Sequence, residues 1–496
     1  MMTATSGTDD EGCVMEGRIV PAPAGVSAGC RVTGMHTSLH TIAAVRRGVA
    51  VAAMLLALAA TGRPPVAAQT PAPLKVPYRL FTLDNGLTVI LHRDTSVPVV
   101  SVNIWYRVGS ANEKPGRTGF AHLFEHLMFE GSKHVKDGQF DGLLEAAGGS
   151  NNGTTDNDRT NYYEDVPSNA LELALFLESD RMGYLLEAMS PERVDGQRDV
   201  VKNEKRQQVD SRPYGKVSEE LDTLLFPPGH PYSWQVIGSM EDLSAASYED
   251  VVEFFKRYYA PGNASLVVAG DIDLDRAQAL VTRWFSEVPK GAVVEALKVS
   301  PPVLTAVKRK TITDKVQLSR LYLAWPSPKE YAPDDAALTI AAQILSGGKG
   351  ARLDRRLLHD TQTAQDVFAY QGGMALAGTF QVVATARPGK TVADLQAAID
   401  DELDRLRKTP PEAAEVERAV NAIEAQFYRS MERVGSYRGK ALQLNHYYNA
   451  VGEPDYFAKD LARYKTVTPA AVQAAIVTHL PKDRRVELVV EPEAKP

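Results

Sequence analysis

The sequence predicts an α+β protein made of two homologous α/β-sandwich halves, with a candidate metal site in the first half alone. Three observations lead there. Strand and helix patterns from Tyr78 to Asp271 recur weakly, in the same order, from Thr305 to Val490. The pentapeptide His122-Leu123-Phe124-Glu125-His126 falls on a helical pattern in the first copy. The matching helix of the second copy holds Leu338-Thr339-Ile340-Ala341-Ala342, with no His or Glu.

In the first copy, Tyr78–Leu91 reads as a hairpin turning at Asp84-Asn85-Gly86. Val100, Val102 and Ile104 alternate with polar residues, so 98–108 is a strand. Helical patterns follow at 120–129, 139–147, 170–187, 191–208 and 249–258, and the apolar run 264–271 closes the half as a strand. In the second copy, 305–313 and 317–325 are strands, 334–346 is a helix, and 467–490 parallels 247–271. The expected domains are 75–292 and 303–491, joined near Val293–Pro302.

Residues 1–68 are set apart as an extension and export signal. Arg46-Arg47, the small and apolar run Gly48–Ala60, and Val66-Ala67-Ala68 before Gln69 have the layout of a signal peptide, with Met35 a second candidate start. The run is short for a membrane span, which needs ~20 residues, although an uncleaved anchor is the alternative. Cys13 and Cys30, the only cysteines, lie in this segment. A chain cut at Ala68 therefore has no disulfide and no thiolate chemistry. A formal charge of −7 with 24% charged residues, well mixed, gives no nucleic-acid surface.

On a helix, residues i and i+4 share a face, so His122 and His126 can reach one ion, and Glu125 lies close enough to take a proton from an activated water. This order inverts the commoner His-Glu-x-x-His. Catalytic zinc usually takes three protein ligands and one water, so a second helix should add a carboxylate. Ser190-Pro191-Glu192 reads as a helix start, and Glu204 lies on that helix. By itself Glu204 would be one more charge on a solvated face, and Asp199 competes with it.

Together these segments resemble the pitrilysin/insulinase family of zinc metallopeptidases, in the small-subunit branch that includes mitochondrial processing peptidase β-type subunits and many bacterial peptidases. The matching residues are Leu83–Val89, Val108-Gly109-Ser110, Glu113, Gly119–Gly131, Gly148–Asn152, Thr155, Thr160, Tyr162-Tyr163, Gln197–Glu204, His230-Pro231-Tyr232 and Gly238. The resemblance implies that His122, His126 and Glu204 bind one Zn2+ and that Glu125 is the general base. It also implies halves that close around peptides.

Two departures stand out. The family often has Glu seven residues before the third ligand, where this chain has Gln197, on the same helix face as Glu204 and expected to orient a ligand as a neutral amide. Members that work alone carry Arg and Tyr seven apart in the second half, where this chain has Leu358 and Gln365. A homologous partner supplying Arg and Tyr is therefore expected, with a homodimer possible.

Asn151–Thr155 is expected to be a strand edge beside the metal, with Asn152, Gly153 and Thr154 holding substrate backbone; a plain polar turn is the other reading. His230 is expected to be a structural loop histidine. The functional expectation is a periplasmic zinc endopeptidase for oligopeptides. Its alternatives are a silent peptide-binding subunit and a zinc hydrolase of a peptide-derived non-protein substrate.

Overall fold

The computed structural model describes residues 74–493. The expected export signal, both cysteines and the anchor alternative lie outside the described residues.

The first half runs β1 (Arg79–Thr82), β2 (Thr88–Arg93), β3 (Val99–Tyr106), α1 (Phe120–Leu127), α2 (Gln139–Ala146), β4 (Ser150–Thr155), β5 (Thr160–Pro167), α3 (Leu171–Ala188), α4 (Pro191–Lys205), α5 (Val217–Leu225), α6 (Met240–Ala245), α7 (Tyr248–Tyr258), β6 (Ala264–Gly270) and α8 (Leu274–Phe285). The second runs β7 (Lys308–Asp314), β8 (Arg320–Ser327), α9 (Asp335–Ser346), β9 (Ala364–Gly373), β10 (Gly378–Ala386), α10 (Val392–Lys408), α11 (Ala413–Met431), α12 (Lys440–Val451), α13 (Phe457–Lys465), α14 (Pro469–His479) and β11 (Val486–Pro492).

The sheets are ordered β1-β2-β6-β3-β5-β4 and β7-β11-β8-β10-β9. In each, the closing strand of the half lies parallel to one early strand (β6 to β2, β11 to β7) and antiparallel to the next (β6 to β3, β11 to β8). That shared pairing is the internal repeat seen as a weak pattern in the sequence. The helix expected over 191–208 leaves α-geometry at Lys205 and continues as a π-turn through Asp210. Helices α5, α6, α8 and α10–α13 and the hairpin β9–β10 are additions to the sequence reading.

Each half lends a helix to the other's sheet. Val217, Leu221 and Leu225 of α5 pack with Tyr322, Val383 and Leu488 of the second sheet. Ala441, Leu444 and Tyr447 of α12 pack with Ile90, Val267 and Ala269 of the first. At about 1.5–3 kcal/mol for each large buried apolar side chain, this exchange ties the halves together. Asn445 in the middle of α12 is fully buried, yet it reaches Asn103 Oδ1 at 2.8 Å and Ser265 Oγ at 2.6 Å, so its polarity is satisfied.

Candidate metal centre

Helix α1 is short and sharply divided. Phe120, Ala121, Leu123, Phe124 and Leu127 are buried, which turns His122, Glu125 and His126 to the other side. Its N-terminus begins at Gly119, with φ of +90°, where a Cβ would meet Ile237 O at 2.8 Å and Gly238 Cα at 3.1 Å. Glycine is thus required by both conformation and space. It has no side chain to cap the helix, and Glu113 does so instead. The two Glu113 carboxylate oxygens accept from Gly119 N at 3.0 Å and Ala121 N at 2.8 Å.

Burial pushes the Glu113 carboxyl up to about 8, against the pull of those amides. The unfolded carboxyl ionises near its ordinary 4.5 while the buried one keeps its proton, so this group costs stability as pH rises from 4.5 to 8. Glu113→Gln is expected to gain stability relative to the parent across that window and then level off. Urea unfolding at several pH values checks this, and a pH-independent difference would sink it.

Helix α4 starts as the sequence indicates, with Ser190 accepting from Arg193 N and Pro191 in the first turn. Val194 and Val201 anchor it in the first core, carrying Glu204 to α1. Glu204 Oε2 lies 3.3 Å from His126 Nε2 and 3.6 Å from His122 Nε2. One ligand atom from each of the three residues falls within 4.8 Å of the others. Asp199 pairs instead with Lys202 and stays outside the group. The hydrogen bond with His126 holds the Glu204 carboxyl below its usual range. Burial draws His122 down to about 4, which keeps its imidazole neutral as metal ligation requires. Two imidazole nitrogens and a carboxylate oxygen converging in this way suit zinc. One feature departs from the usual metal-bound histidine: His122 Nδ1 is buried without a hydrogen-bond partner.

Glu125 lies against β4. A Cβ on Gly153 would come within 3.0 Å of Glu125 Cγ and 3.1 Å of Tyr162 Cδ1, so the glycine makes room for the acid. Burial raises the Glu125 carboxyl above its ordinary range, and a hydrogen bond with Thr155 opposes it. Strand β4 is the outer strand of its sheet, as expected for 151–155. Its Asn152 pairs in register with Tyr163, on the face opposite Gly153 and Tyr162, and the Asn152 Oδ1 accepts its neighbour Gly153 N at 2.8 Å. Thr154 Oγ1 donates to Asn161 Oδ1 at 2.5 Å.

Gln197 sits where the sequence puts it, but its amide donates to Glu130 Oε1 at 2.5 Å. Glu130 follows α1, and its backbone carbonyl also accepts from Arg193. The sequence reading missed this contact because residues 130 and 197 meet only in the fold. His230 stacks on Phe226 at 4.9 Å and accepts from Tyr232 N, outside the metal group. Leu358 is partly buried against the second core and Gln365 is exposed on β9.

Two like-folded halves, with a His/His/carboxylate cluster in the first that could hold a metal ion, have the build of a two-half metallopeptidase. Two family models match, described as Insulinase (Peptidase family M16) over residues 88–226 and Peptidase M16 inactive domain over residues 245–423. The chain belongs to peptidase family M16, the insulinase family. It is 28% identical over 365 residues to the zinc protease PqqE of Helicobacter pylori, spanning 72% of this chain and 80% of that one. An uncharacterized zinc protease of Mycobacterium leprae is 30% identical, spanning 65% and 72%. Among solved structures, a protease from Helicobacter pylori has a TM-score of 0.78 at 24% identity, covering 84% of this chain and all of that one. The periplasmic protease PqqL from Escherichia coli has a TM-score of 0.69 at 18% identity, covering 85% of this chain and 48% of that one. These likenesses support a protease with the M16 fold.

Proposed function

We propose that this chain is a zinc-dependent endopeptidase for oligopeptides, exported to the periplasm, and the metal-bearing subunit of a heterodimer. The observation that carries the reading is the convergence of His122, His126 and Glu204 beside Glu125 at the free edge of β4.

His122, His126 and Glu204 would hold the ion. When bound, zinc supplies a Lewis acid and makes water a nucleophile near neutral pH. An extended peptide adds to the β4 edge through backbone hydrogen bonds, which read shape more than sequence. Asn152, Gly153 and Thr154 provide that edge, and Gly153 lets the peptide and Glu125 approach from the same face. Glu125 takes the proton of the attacking water as oxygen bonds to the scissile carbonyl carbon, then delivers it to the amine as the C–N bond breaks. Gln197 and Glu130 steady the junction of α1 and α4. Leu358 and Gln365 offer no cation or phenol to the substrate carbonyl, which supports a partner that brings Arg and Tyr. Among the described residues no helix is long and apolar enough to cross a membrane.

The test is cleavage of a quenched-fluorescent peptide library by the purified chain, alone and with a homologous Arg/Tyr-bearing partner. Turnover should require zinc, vanish with chelator, return on zinc addition and rise with the partner. A chain that binds one zinc and cleaves nothing in either setting would leave a binding subunit or a non-peptide hydrolase.

A further inference from the structure

A cavity of about 590 Å³ lies between the halves, away from the metal cluster. Its walls come from the β4–β5 turn, the β9–β10 turn, α12 and the linker at Val294–Leu297. That volume is in the range of small-ligand sites, roughly 300–1,000 Å³. The turns are joined across it. Asp158 accepts from Tyr232 Oη at 2.6 Å and from Ala375 N at 3.0 Å, and Leu376 N donates to Tyr232 Oη at 2.9 Å.

The cavity is lined by four acids, Asp156, Asp158, Glu295 and Glu330, and by Arg107, Arg159, Lys329 and His446, but these charges are not all paired with one another. Asp156 pairs with Arg159 at 3.0 Å, Glu330 with His446 at 2.9 Å, and Asp158 is held as above. Arg107 is different. It is half-buried at the end of β3, and among the described residues its guanidinium has no carboxylate partner; its neighbour is Tyr448, which offers a hydroxyl to it and whose ring lies 5.8 Å away. Five fixed N–H donors without an anion are costly away from water, and a planar fork of this kind matches a carboxylate. Lys329 adds a second cation with no ion pair among the described residues, while Glu295 on the linker and Asp158 are the lining acids without a cation partner. Around them lie Trp105, Leu297, Met374 and Leu376, an apolar lining.

We propose that this cavity is a second binding site, which takes the C-terminal carboxylate of a short peptide with an apolar last residue. Arg107 holds the carboxylate, Lys329 adds charge at the rim, and the apolar lining takes the side chain. The carboxylate site stands on Arg107, a guanidinium in the cavity wall with no carboxylate partner among the described residues. Naming a peptide rests on the proteolytic reading, because a peptidase releases new C-terminal carboxylates. The site also touches the substrate edge: Arg159 lies 5.3 Å over Trp105 and donates to Thr154 O at 2.7 Å, so occupancy bears on β4.

Calorimetry on the full chain tests this without any need for turnover. The probes are N-acetyl-Ala-Phe as the free acid, the same dipeptide as its C-terminal amide, and 4-phenylbutyrate, each with zinc and with chelator. The acid should bind one per chain in both conditions. The amide should bind about tenfold or more weaker, as should the acid to Arg107→Gln, the loss expected from a charge-assisted hydrogen-bond pair. Equal binding of acid and amide, an unaffected Arg107→Gln, or binding lost with the metal would each overturn the site. Phenylbutyrate binding as tightly as the peptide acid would overturn the peptide assignment. Should Arg107→Gln not fold, Lys329→Gln at the rim gives the same comparison, with a smaller loss expected and no loss counting against the proposal.

Discussion

Glu125→Gln is expected to lower kcat/KM for peptide cleavage by about 10²–10⁴-fold, the usual worth of a positioned general acid–base, with zinc content unchanged. The amide has nearly the shape of the acid, so it fits the space left by Gly153 and keeps a contact with Thr155. It cannot accept the proton of the attacking water or return one to the amine. Since Glu125 is outside the His122/His126/Glu204 group, metal binding and chemistry should separate. Metal analysis beside steady-state kinetics reads both. Loss of zinc in step with activity would make Glu125 a structural support of the site, and full activity would remove it from the mechanism.

Arg181→Met is expected to destabilise the protein by about 3–5 kcal/mol, the cost of stripping one partner from a buried ion cluster. Arg181 is 1% exposed and meets two fully buried acids, Glu178 through Nε at 2.8 Å and Glu164 through Nη2 at 3.0 Å. Its guanidinium also lies 4.3 Å from the Tyr162 ring centroid and 4.4 Å from that of Phe140, so cation–π contact adds to the pairing. One cation serves two carboxylates, and burial with the Glu178 charge pushes the Glu164 carboxyl well above its usual range. Methionine would fill much of the volume, leave Glu178 without a counter-charge and leave Glu164 without its guanidinium donor. Glu164→Gln, by contrast, should cost far less, because it replaces a carboxyl that burial already favours in neutral form. Denaturant unfolding of the two variants decides this. Equal losses would mean that packing, not charge, sets the stability of the cluster.

Much of the metal centre was legible in the sequence because its spacing is local. His122, Glu125 and His126 share one helix turn, and the apolar residues between them show which side faces the core. The edge strand was less visible: the polar run 151–155 read nearly as well as a turn, and pairing with β5 decided it. Glu204 was not legible in the same way: a Glu among Lys202, Lys205 and Arg206 looks like a solvated face, and only family resemblance singled it out. The helices from 392 to 465 escaped although α10 carries a helical stripe of Leu395, Ala398, Ile399, Leu403 and Leu406 that could have shown it; the next two are less plain. Along α11 only Val416 and Ala419 are buried, and α12 interrupts its apolar face with Asn445.

By itself, then, the sequence determined the repeated α+β order and the helix that carries His122, Glu125 and His126 on one side, since helix and strand periodicity is written within a few residues. Tertiary structure alone decided how α4 brings Glu204 to α1, that Gln197 bonds Glu130, that α5 and α12 cross between sheets, and that Arg107 lines a cavity without a carboxylate partner of its own. Each of these depends on side chains tens to hundreds of residues apart. Such contacts follow from the shapes of packed surfaces, and no short-range pattern records them.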